Sequence, residues 1–413
     1  MIEYIMWAIS FFTLYISIVW LNFLYFVDFN KKSARLRRIP SLTLAVPAYN
    51  EQKGIKDTLK SAIECDYPKD KISIIVVNDG STDNTAEIVK KIISENPKTK
   101  IRLINQQNRG KAAAVNTALQ ETDSELFACL DADSMIDRNT IKPMLPHFEE
   151  DKKTAAVITA IKVYQPRNVY EKVQRFEYLM AILMRKIRST INTLAMTPGV
   201  LSIYKTDILK SLGGFDENNM TEDFEIAMRL KYHGYNIQLE TESVTYTKVP
   251  NSFRMLWRQR LRWFRGYLYN HYKYRDMFFS SRHNKILSYF QLPLNIISIF
   301  VLLLLIVLVS YGSLKFLFER IVRISMIDGY LQSLFYLPSL KSFILSQNVK
   351  IMFPIYIGTI SGAFLFYLAH RIMNEKLRYP MSIWAYFIIF PYMSFSHWVF
   401  SLSHEMLRLK RKW

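Results

Sequence analysis

Ile72-Ser73-Ile74-Ile75-Val76-Val77-Asn78-Asp79-Gly80 reads as a buried β-strand that ends in a turn. The β-branched run is strand-length, and Asn-Asp-Gly is a breaker. The pattern alternates on both sides of it. Leu42–Val46 is a short apolar run ending at Pro47, and Glu51–Ile63 has helical character. Beyond Asp79, Asp83–Ile93 is helical, with Ser81, Thr82 or Asp83 supplying the capping oxygen. Ile101–Ile104 is a strand, and Lys111–Gln120 is a helix preceded by Arg109-Gly110. Leu126–Leu130 is a strand ending at Asp131-Ala132-Asp133. This β-α-β-α rhythm predicts an α/β fold, a parallel sheet covered by helices. Ligands of such sheets bind at the carboxyl ends of the strands. The polar clusters Tyr49-Asn50-Glu51, Asp79 and Asp131/Asp133 all fall at those ends. No GxGxxG follows the first strand, which argues against a dinucleotide site.

The chain has 413 residues, half of them apolar, and 54 Lys plus Arg against 35 Asp plus Glu give a formal net charge of +19. Such a length predicts two or three domains of roughly 150 residues each. Abundant Leu, Ile, Val and aromatic residues exclude intrinsic disorder. The only cysteines, Cys65 and Cys129, exclude a disulfide scaffold and point to a reducing compartment. The seven histidines form no close pair with metal-ligand spacing, so no zinc site is expected.

Residues 4–27 carry no charge, and the run Ile5–Phe26 is long enough to cross ~30 Å of hydrocarbon as a helix. Lacking a basic n-region and a small-residue cleavage site, it is expected to be an uncleaved anchor rather than a signal peptide. Lys31, Lys32, Arg35, Arg37 and Arg38 follow it. The positive-inside rule puts that flank in the cytoplasm and the N-terminus outside. Residues 286–314, 351–369 and 380–404, the last with Pro391 in its middle, are also long enough to span. These runs would leave the C-terminus outside, against the inward preference of Arg408-Leu409-Lys410-Arg411-Lys412. A re-entrant last run near Pro391, or a further crossing within 316–347, would reconcile the two. The expected division is an anchor over 1–30, a water-soluble domain over 40–250, basic aromatic interfacial helices over 251–285, and a membrane region of about three spans over 286–413.

Several positions carry chemistry. Asp79 can accept hydrogen bonds from a base N–H or from ribose hydroxyls, although an Asp in Asp-Gly is equally a turn residue. In an extended segment Asp131 and Asp133 would point the same way and could meet one hard divalent cation. Thr221-Glu222-Asp223 opens a helix that runs to about Tyr232 and stops at Gly234. Thr221 is there the expected N-cap, and Asp223 a candidate general base toward an attacking hydroxyl. Gln259, Arg262 and Trp263 would share one helical face, with Arg suited to diphosphate and Trp offering a plate for a sugar ring. Around them, residues 251–285 hold nine Lys or Arg, one acid (Asp276) and ten aromatics. Such a stretch suits an anionic membrane leaflet. It could also suit nucleic acid, but the adjacent span favours lipid.

In chain order stand Pro47-Ala48-Tyr49-Asn50-Glu51, Asp79-Gly80-Ser81-Thr82-Asp83, Asn108-Arg109-Gly110-Lys111, Asp131-Ala132-Asp133, Gly213-Gly214-Phe215-Asp216, Thr221-Glu222-Asp223 and Gln259-Arg260-Leu261-Arg262-Trp263. This ordered set, within residues 43–263, resembles the family 2 glycosyltransferases with a GT-A fold, a Rossmann-like parallel sheet. More narrowly it is similar to the membrane-embedded processive synthases of cellulose, chitin, hyaluronan and poly-β-1,6-N-acetylglucosamine. Size and the single N-terminal anchor match the last of these. The resemblance implies a UDP-sugar donor held by Pro47, Tyr49, Glu51, Asp79 and Lys111, with Asp79 on the uridine. It implies that Asp131, Ala132 and Asp133 hold the diphosphate, through Mg²⁺ or Mn²⁺ on Asp131 and Asp133. Asp223, beside Glu222, would be the base of an inverting transfer that gives a β-linkage. Thr197, Pro198 and Gly199 occupy the place of a small-residue loop near the acceptor, and Gln259, Arg262 and Trp263 would hold the acceptor end and the diphosphate. Two departures lie near the acceptor. Phe264-Arg265-Gly266-Tyr267 stands where poly-N-acetylglucosamine synthases usually run Ala-Gln-Gly-Gly, and Thr-Pro-Gly stands where Ser-Gly is commoner.

The resemblance therefore implies an enzyme of the cell membrane with a cytoplasmic catalytic domain, extending a β-linked polysaccharide from a UDP-hexosamine, N-acetylglucosamine first among the candidates, and exporting it. Its partners would be the donor, a glycan acceptor and the bilayer, with no nucleic acid. A small membrane partner or a second copy would complete a polymer channel. The alternatives are a single-addition transferase acting on a lipid-linked or surface glycan, and a catalytically dead nucleotide-sugar sensor. The intact Asp131, Asp133 and Asp223 argue against the sensor.

Overall fold

The computed structural model describes residues 2–28, 36–325, 349–407 and 409. The flank residues Lys31, Lys32 and Arg35, most of the 316–347 stretch, and Arg408 and Lys410 to Lys412 of the tail lie outside the described residues. Elements follow in the order α1 (Ile2–Tyr25), β1 (Leu42–Ala48), α2 (Ile55–Ile63), β2 (Ile72–Asp79), α3 (Thr85–Glu95), β3 (Lys100–Gln106), α4 (Lys111–Gln120), β4 (Leu126–Cys129) and β5 (Ser134–Ile136). Then come α5 (Pro146–Glu150), β6 (Thr154–Val163), α6 (Val169–Thr190), β7 (Ser202–Lys205), α7 (Thr206–Ser211), α8 (Glu222–Tyr232), β8 (Asn236–Thr247) and α9 (Phe253–Lys273). Three long helices close the chain: α10 (Leu292–Ser325), α11 (Val349–Ile372) and α12 (Pro380–Met406).

The strands form one sheet in the order β3-β2-β1-β4-β7-β6-β8-β5. β1, β2, β3 and β4 are mutually parallel, as the alternating pattern predicts. The parallel expectation does not extend further. β7 runs antiparallel to both β4 and β6, while β6 and β8 pair in parallel. After β3 the chain returns to the far side of β1 to lay down β4, so a crevice opens at the carboxyl ends of β1 and β4.

The period of two sorts the strand residues. Leu42, Leu44, Val46, Ile72, Ile74 and Val76 face one layer with Ile55 and Leu59 of α2 and Val89 of α3. Ala45, Ile75, Val77 and Phe127 face the other, with Ala114 and Val115 of α4, Ile182 of α6 and Ile226 of α8. β2 is buried along both faces over Ile74–Asp79, and its 74–77 run is accordingly apolar rather than alternating. Each such side chain contributes roughly 1.5–3 kcal/mol by leaving water.

α6 begins with a capping box. Glu171 N–H donates to Asn168 Oδ1 at 3.0 Å, and Asn168 N–H donates to Glu171 Oε2 at 2.9 Å. Its Ile182 packs toward the sheet. Leu179, Leu183 and Ile187 pack instead with Trp20 of α1, Leu294 of α10 and Ala369 of α11. α9 is stitched to α12 by rings, with Trp257 against His397 at 4.3 Å between centroids and Phe264 stacked on Trp398 at 4.2 Å.

Among the described residues, three helices are long and apolar enough to cross a membrane: Tyr4–Tyr25, Ile286–Val322 and Pro380–Met406. The expected run 351–369 lies within α11, a 24-residue helix. Large apolar side chains stand exposed along these helices, Phe11, Phe300, Phe318 and Trp384 among them. An exposed apolar surface of that extent is characteristic of a protein–protein or membrane contact.

Candidate active site

The site is built where β1, β2 and β4 end. The Tyr49–Gln52 loop is laced to the loop after β2. Asn50, at φ 55°, takes Thr82 N–H on its Oδ1 at 2.9 Å and donates its own N–H to Ser81 Oγ at 3.0 Å. Glu51 N–H donates to Thr85 Oγ1 at 2.8 Å. None of the three expected residues holds the N-cap of α3: Asn84 stands there without a side-chain cap bond, and Asp83, one residue before it, accepts Thr85 N–H on Oδ1 at 3.0 Å. Pro47 is the next-to-last residue of β1, and Tyr49, just past its end, is half exposed.

Asp79 is buried, and both its oxygens are engaged. Oδ1 accepts from Gln106 Nε2 at 2.7 Å and Arg109 N–H at 2.9 Å, and Oδ2 accepts from Gly110 N–H at 2.8 Å. The carboxylate thereby pins the loop that delivers Lys111 at the start of α4.

Asp131, Ala132 and Asp133 do not form the extended segment expected of them. They make a turn closed by Ser134 N–H onto Asp131 O at 3.0 Å, because β4 ends at Cys129 and β5 begins at Ser134. The buried Ala132 is gripped through its carbonyl by Thr58 Oγ1 at 2.7 Å. The carboxylates still converge. Burial, with the Asp131 charge second, pushes Asp133 up to about 6. Burial, then Asp133 and Asp131, pushes Glu51 up to about 7.

One cation sits in this field. Lys111 Nζ pairs with Asp131 Oδ1 and lies 3.4 Å from Glu222 Oε1. Burial works against the Lys111 charge, but the two carboxylates outweigh it and hold its pKa well above the ordinary lysine range. Burial also raises Glu222, against the pull of Lys111, so Asp131 is the stronger partner of the lysine. Glu222 Oε2 is buried with no hydrogen-bond partner among the described residues.

The Thr197-Pro198-Gly199 loop closes the far side. Thr197 Oγ1 donates to Asp223 O at 2.7 Å, Gly199 N–H donates to Asp223 Oδ2 at 3.2 Å, and Asp131 N–H donates to Gly199 O at 3.2 Å. A Cβ on Gly199 would displace Lys111 Nζ and stand 3.2 Å from each Asp131 carboxylate oxygen, so this loop lies directly against the Lys111–Asp131 pair. Asp223 takes Phe224 N–H on Oδ1 at 2.8 Å, in the first turn of α8. Thr221 stands at the N-cap position, but its side chain makes no cap bond. Its Oγ1 accepts instead from Asn270 Nδ2 at 3.0 Å, tying α8 to α9.

α9 carries Gln259, Arg262 and Trp263 on its turns, as the spacing predicts. Arg262 Nη1 donates to Met220 O at 3.0 Å, and its charge acts on Glu222. Gln259 Oε1 is buried without a partner among the described residues. One face of Trp263 is covered, since the Arg260 guanidinium carbon sits 4.3 Å from the ring centroid while Arg260 pairs with Glu177 at 2.7 Å. Sequence reasoning missed that partner, and it missed the fully buried Glu225. Glu225 pairs with Lys273 at 2.8 Å, accepts from Tyr274 Oη at 2.5 Å, and also pairs with Arg229. Asp216 of Gly-Gly-Phe-Asp shares the same lysine at 2.8 Å. Lys273 lies 48 residues from Glu225 in the chain, so no local pattern marks that pair, whereas Arg229 stands at i+4 from Glu225.

Among the described residues, no three His, Cys, Asp or Glu side chains form a metal cage. What the turn provides is a corner of crowded carboxylates in which burial, with the Asp131 charge second, raises Asp133. Divalent cations such as Mg²⁺ bind to one or two carboxylates and complete their shell with phosphate oxygens, so the donor set fits such an ion.

A carboxylate corner at a topological switch point, a lysine in its field and a second pair of acids opening a helix define a group-transfer site in a GT-A fold. Residues 43–213 match the profile described as Glycosyl transferase family 2. The chain is 31% identical over 269 residues to the poly-beta-1,6-N-acetyl-D-glucosamine synthase of Staphylococcus aureus (strain COL), covering 62% of this chain and 64% of that one. It is 30% identical over 266 residues to the synthase of the same name from Staphylococcus epidermidis, with the same coverages of 62% and 64%. The aligned part is thus just under two thirds of these relatives' length. In fold, the chain is similar to a mannosyltransferase from Pyrobaculum calidifontis solved with GDP-Man and Mn2+, with a TM-score of 0.62 and 21% identity over 89% of this chain and 99% of that one.

Proposed function

We propose that this chain transfers N-acetylglucosamine from a UDP-sugar to the end of a growing β-linked polysaccharide, with inversion at the anomeric carbon, and passes the product into the membrane. The observation that carries this reading is the placement of Asp223. Its carboxylate is oriented by Gly199 N–H and by its own helix turn, and it faces the Lys111–Asp131 pair across the Gly199 loop.

The roles follow from that geometry. Asp223 accepts the proton of the attacking acceptor hydroxyl. Glu222, buried beside it with one free oxygen, keeps the pocket polar. Pro47, Tyr49 and Glu51 wall the nucleotide, and Asp79 fixes its floor through the 106–110 loop. Lys111 and Arg262 supply positive charge toward the diphosphate. Gln259 and Trp263 line the acceptor side, where the free Gln259 Oε1 can accept from a sugar hydroxyl. A Mg²⁺ or Mn²⁺ ion, held by Asp131 and Asp133 when bound, would neutralise charge on the leaving diphosphate.

The names of the synthase relatives and the long apolar helices support a multi-pass enzyme of the cell membrane. In this reading residues 1–30 are an anchor, 40–250 the cytoplasmic transferase domain, 251–285 an interfacial segment, and 286–413 the remaining membrane region. A small membrane protein or a second copy would supply further walls for an export path. The test is UDP release by purified full-length protein across a panel of UDP-sugars, with product sizing on the same samples. Release dependent on UDP-N-acetylglucosamine with high-mass product is expected. Release with only one sugar added would replace the polymerising reading by a single-addition one.

A further inference from the structure

A cavity with a strongly basic lining lies beside α6. It has a volume of about 710 Å³ and is enclosed by the end of β6, one side of α6 and the 374–379 segment between α11 and α12. Its charged lining is Lys162, Arg167, Arg175, Lys376 and Arg378, against a single carboxylate, Glu375. Glu375 is already committed, to Lys162 and Arg175 at 2.7 Å each. No ion pair occupies Arg167, Lys376 or Arg378 among the described residues, and all three are exposed. Arg175 Nη1 is buried and lacks a hydrogen-bond acceptor among the described residues, although Nη2 of the same guanidinium is satisfied. A fork with one tooth paired and the other free is set to take an oxyanion.

The backbone around the cavity supports a built site. Gln165 (φ 38°), Asn374 (φ 51°) and Tyr379 (φ 64°) all line it with left-handed conformations. For Gln and Tyr such conformations are costly, and they persist where surrounding structure holds them for a purpose. The rim meets the membrane reading. Leu377, in the same segment, is 53% exposed, and Met381 (80%) and Trp384 (65%) follow the lining residue Tyr379 at the start of α12, an apolar run next in the chain to the basic lining.

We infer that this cavity binds a phosphate group, either the headgroup of an anionic phospholipid or free phosphate. The diester or monoester oxygens accept from Arg175 Nη1 and from the uncommitted Lys376, Arg378 and Arg167. The lipid form rests on the membrane reading above, because its acyl chains would lie along Met381 and Trp384.

The experiment uses the full chain in nanodiscs of phosphatidylcholine with or without phosphatidylglycerol, and in detergent with or without inorganic phosphate. Thermal unfolding and native mass spectrometry of retained lipid are the readouts. Stable, detergent-dependent reconstitution tests the membrane reading by itself, whatever the lipid preference. Wild type is expected to retain phosphatidylglycerol over phosphatidylcholine. Lys376→Gln with Arg378→Gln, exposed positions outside any ion pair, is expected to cut that preference roughly tenfold while leaving the unfolding midpoint in phosphatidylcholine unchanged. Arg175→Gln is expected to cut it too, which a diffuse surface attraction would not produce. A midpoint rise with inorganic phosphate, lost in the same variants and unmatched by phosphatidylglycerol, would assign the site to free phosphate. Equal behaviour of wild type and variants toward both probes would overturn the inference.

Discussion

Gly266 of α9 lies against Thr221 at the mouth of α8, and a Cβ on Gly266 would stand 2.9 Å from the Thr221 Cβ and closer still to its Oγ1. The helix bearing Gln259, Arg262 and Trp263 can therefore reach the helix bearing Glu222 and Asp223 only because position 266 has no side chain. Gly266→Ala is expected to push the helices apart, at about 1–3 kcal/mol of stability. Activity should fall further than the melting temperature alone accounts for. Thermal unfolding and UDP release on one preparation check this; an alanine variant with normal turnover would sever the link between the two helices.

Asp223→Asn keeps the size of the side chain and its contact with Gly199 N–H but removes the base. Transfer is expected to drop by about two to four orders of magnitude. Calorimetric UDP affinity should stay near that of wild type. If UDP binding disappears together with turnover, Asp223 shapes the pocket instead of accepting the proton.

Lys111 neutralises Asp131 and Glu222 together. Lys111→Met is expected to leave three acids, Asp131, Asp133 and Glu222, facing one another without it. Mn²⁺ affinity in the absence of nucleotide should rise, while UDP affinity falls because a cation toward the diphosphate is gone. Titration calorimetry with each ligand separates the two effects, and movement of both in the same direction would contradict the assignment.

Burial pulls Lys231 down to about 7, and its Nζ donates to Asn192 Oδ1 at 2.7 Å and Asn192 O at 3.0 Å. Its folded pKa lies below the unfolded one, so the unfolded chain binds more protons between pH 7 and the ordinary lysine range near 10.4. Stability contributed by this group should therefore rise with pH across that window, and the penalty should be full and constant below it. The total is on the order of a few kcal/mol. Lys231→Met should flatten this part of the melting-temperature profile. A slope unchanged in the variant would place the titration elsewhere.

The parallel half of the sheet was legible because β1, β2 and β4 are buried along most of their length and announce themselves as apolar runs. α4 begins at Lys111 and ends at Gln120, where Gly110 and the alanine run place it. The second half was not. β7 has only four residues, and β8 mixes polar and apolar positions, so neither rises above its surroundings. At the site, the acids were legible from their place after strands, but their local geometry was not. The span from Cys129 to Ser134 is too short for an extended arm, so Asp131 and Asp133 turn. Thr221 has a cap's position but is drawn away by Asn270, a partner 49 residues on. Arg260 and Glu225 belong to the same class, set by tertiary neighbours that spacing does not record.

α6 serves two interiors with one rod, giving Ile182 to the sheet side and Leu179, Leu183 and Ile187 to the apolar helices. A rod shared in this way acts as a fixed spacer between the two interiors, so the separation of the sheet from the apolar helices is a constant of the molecule.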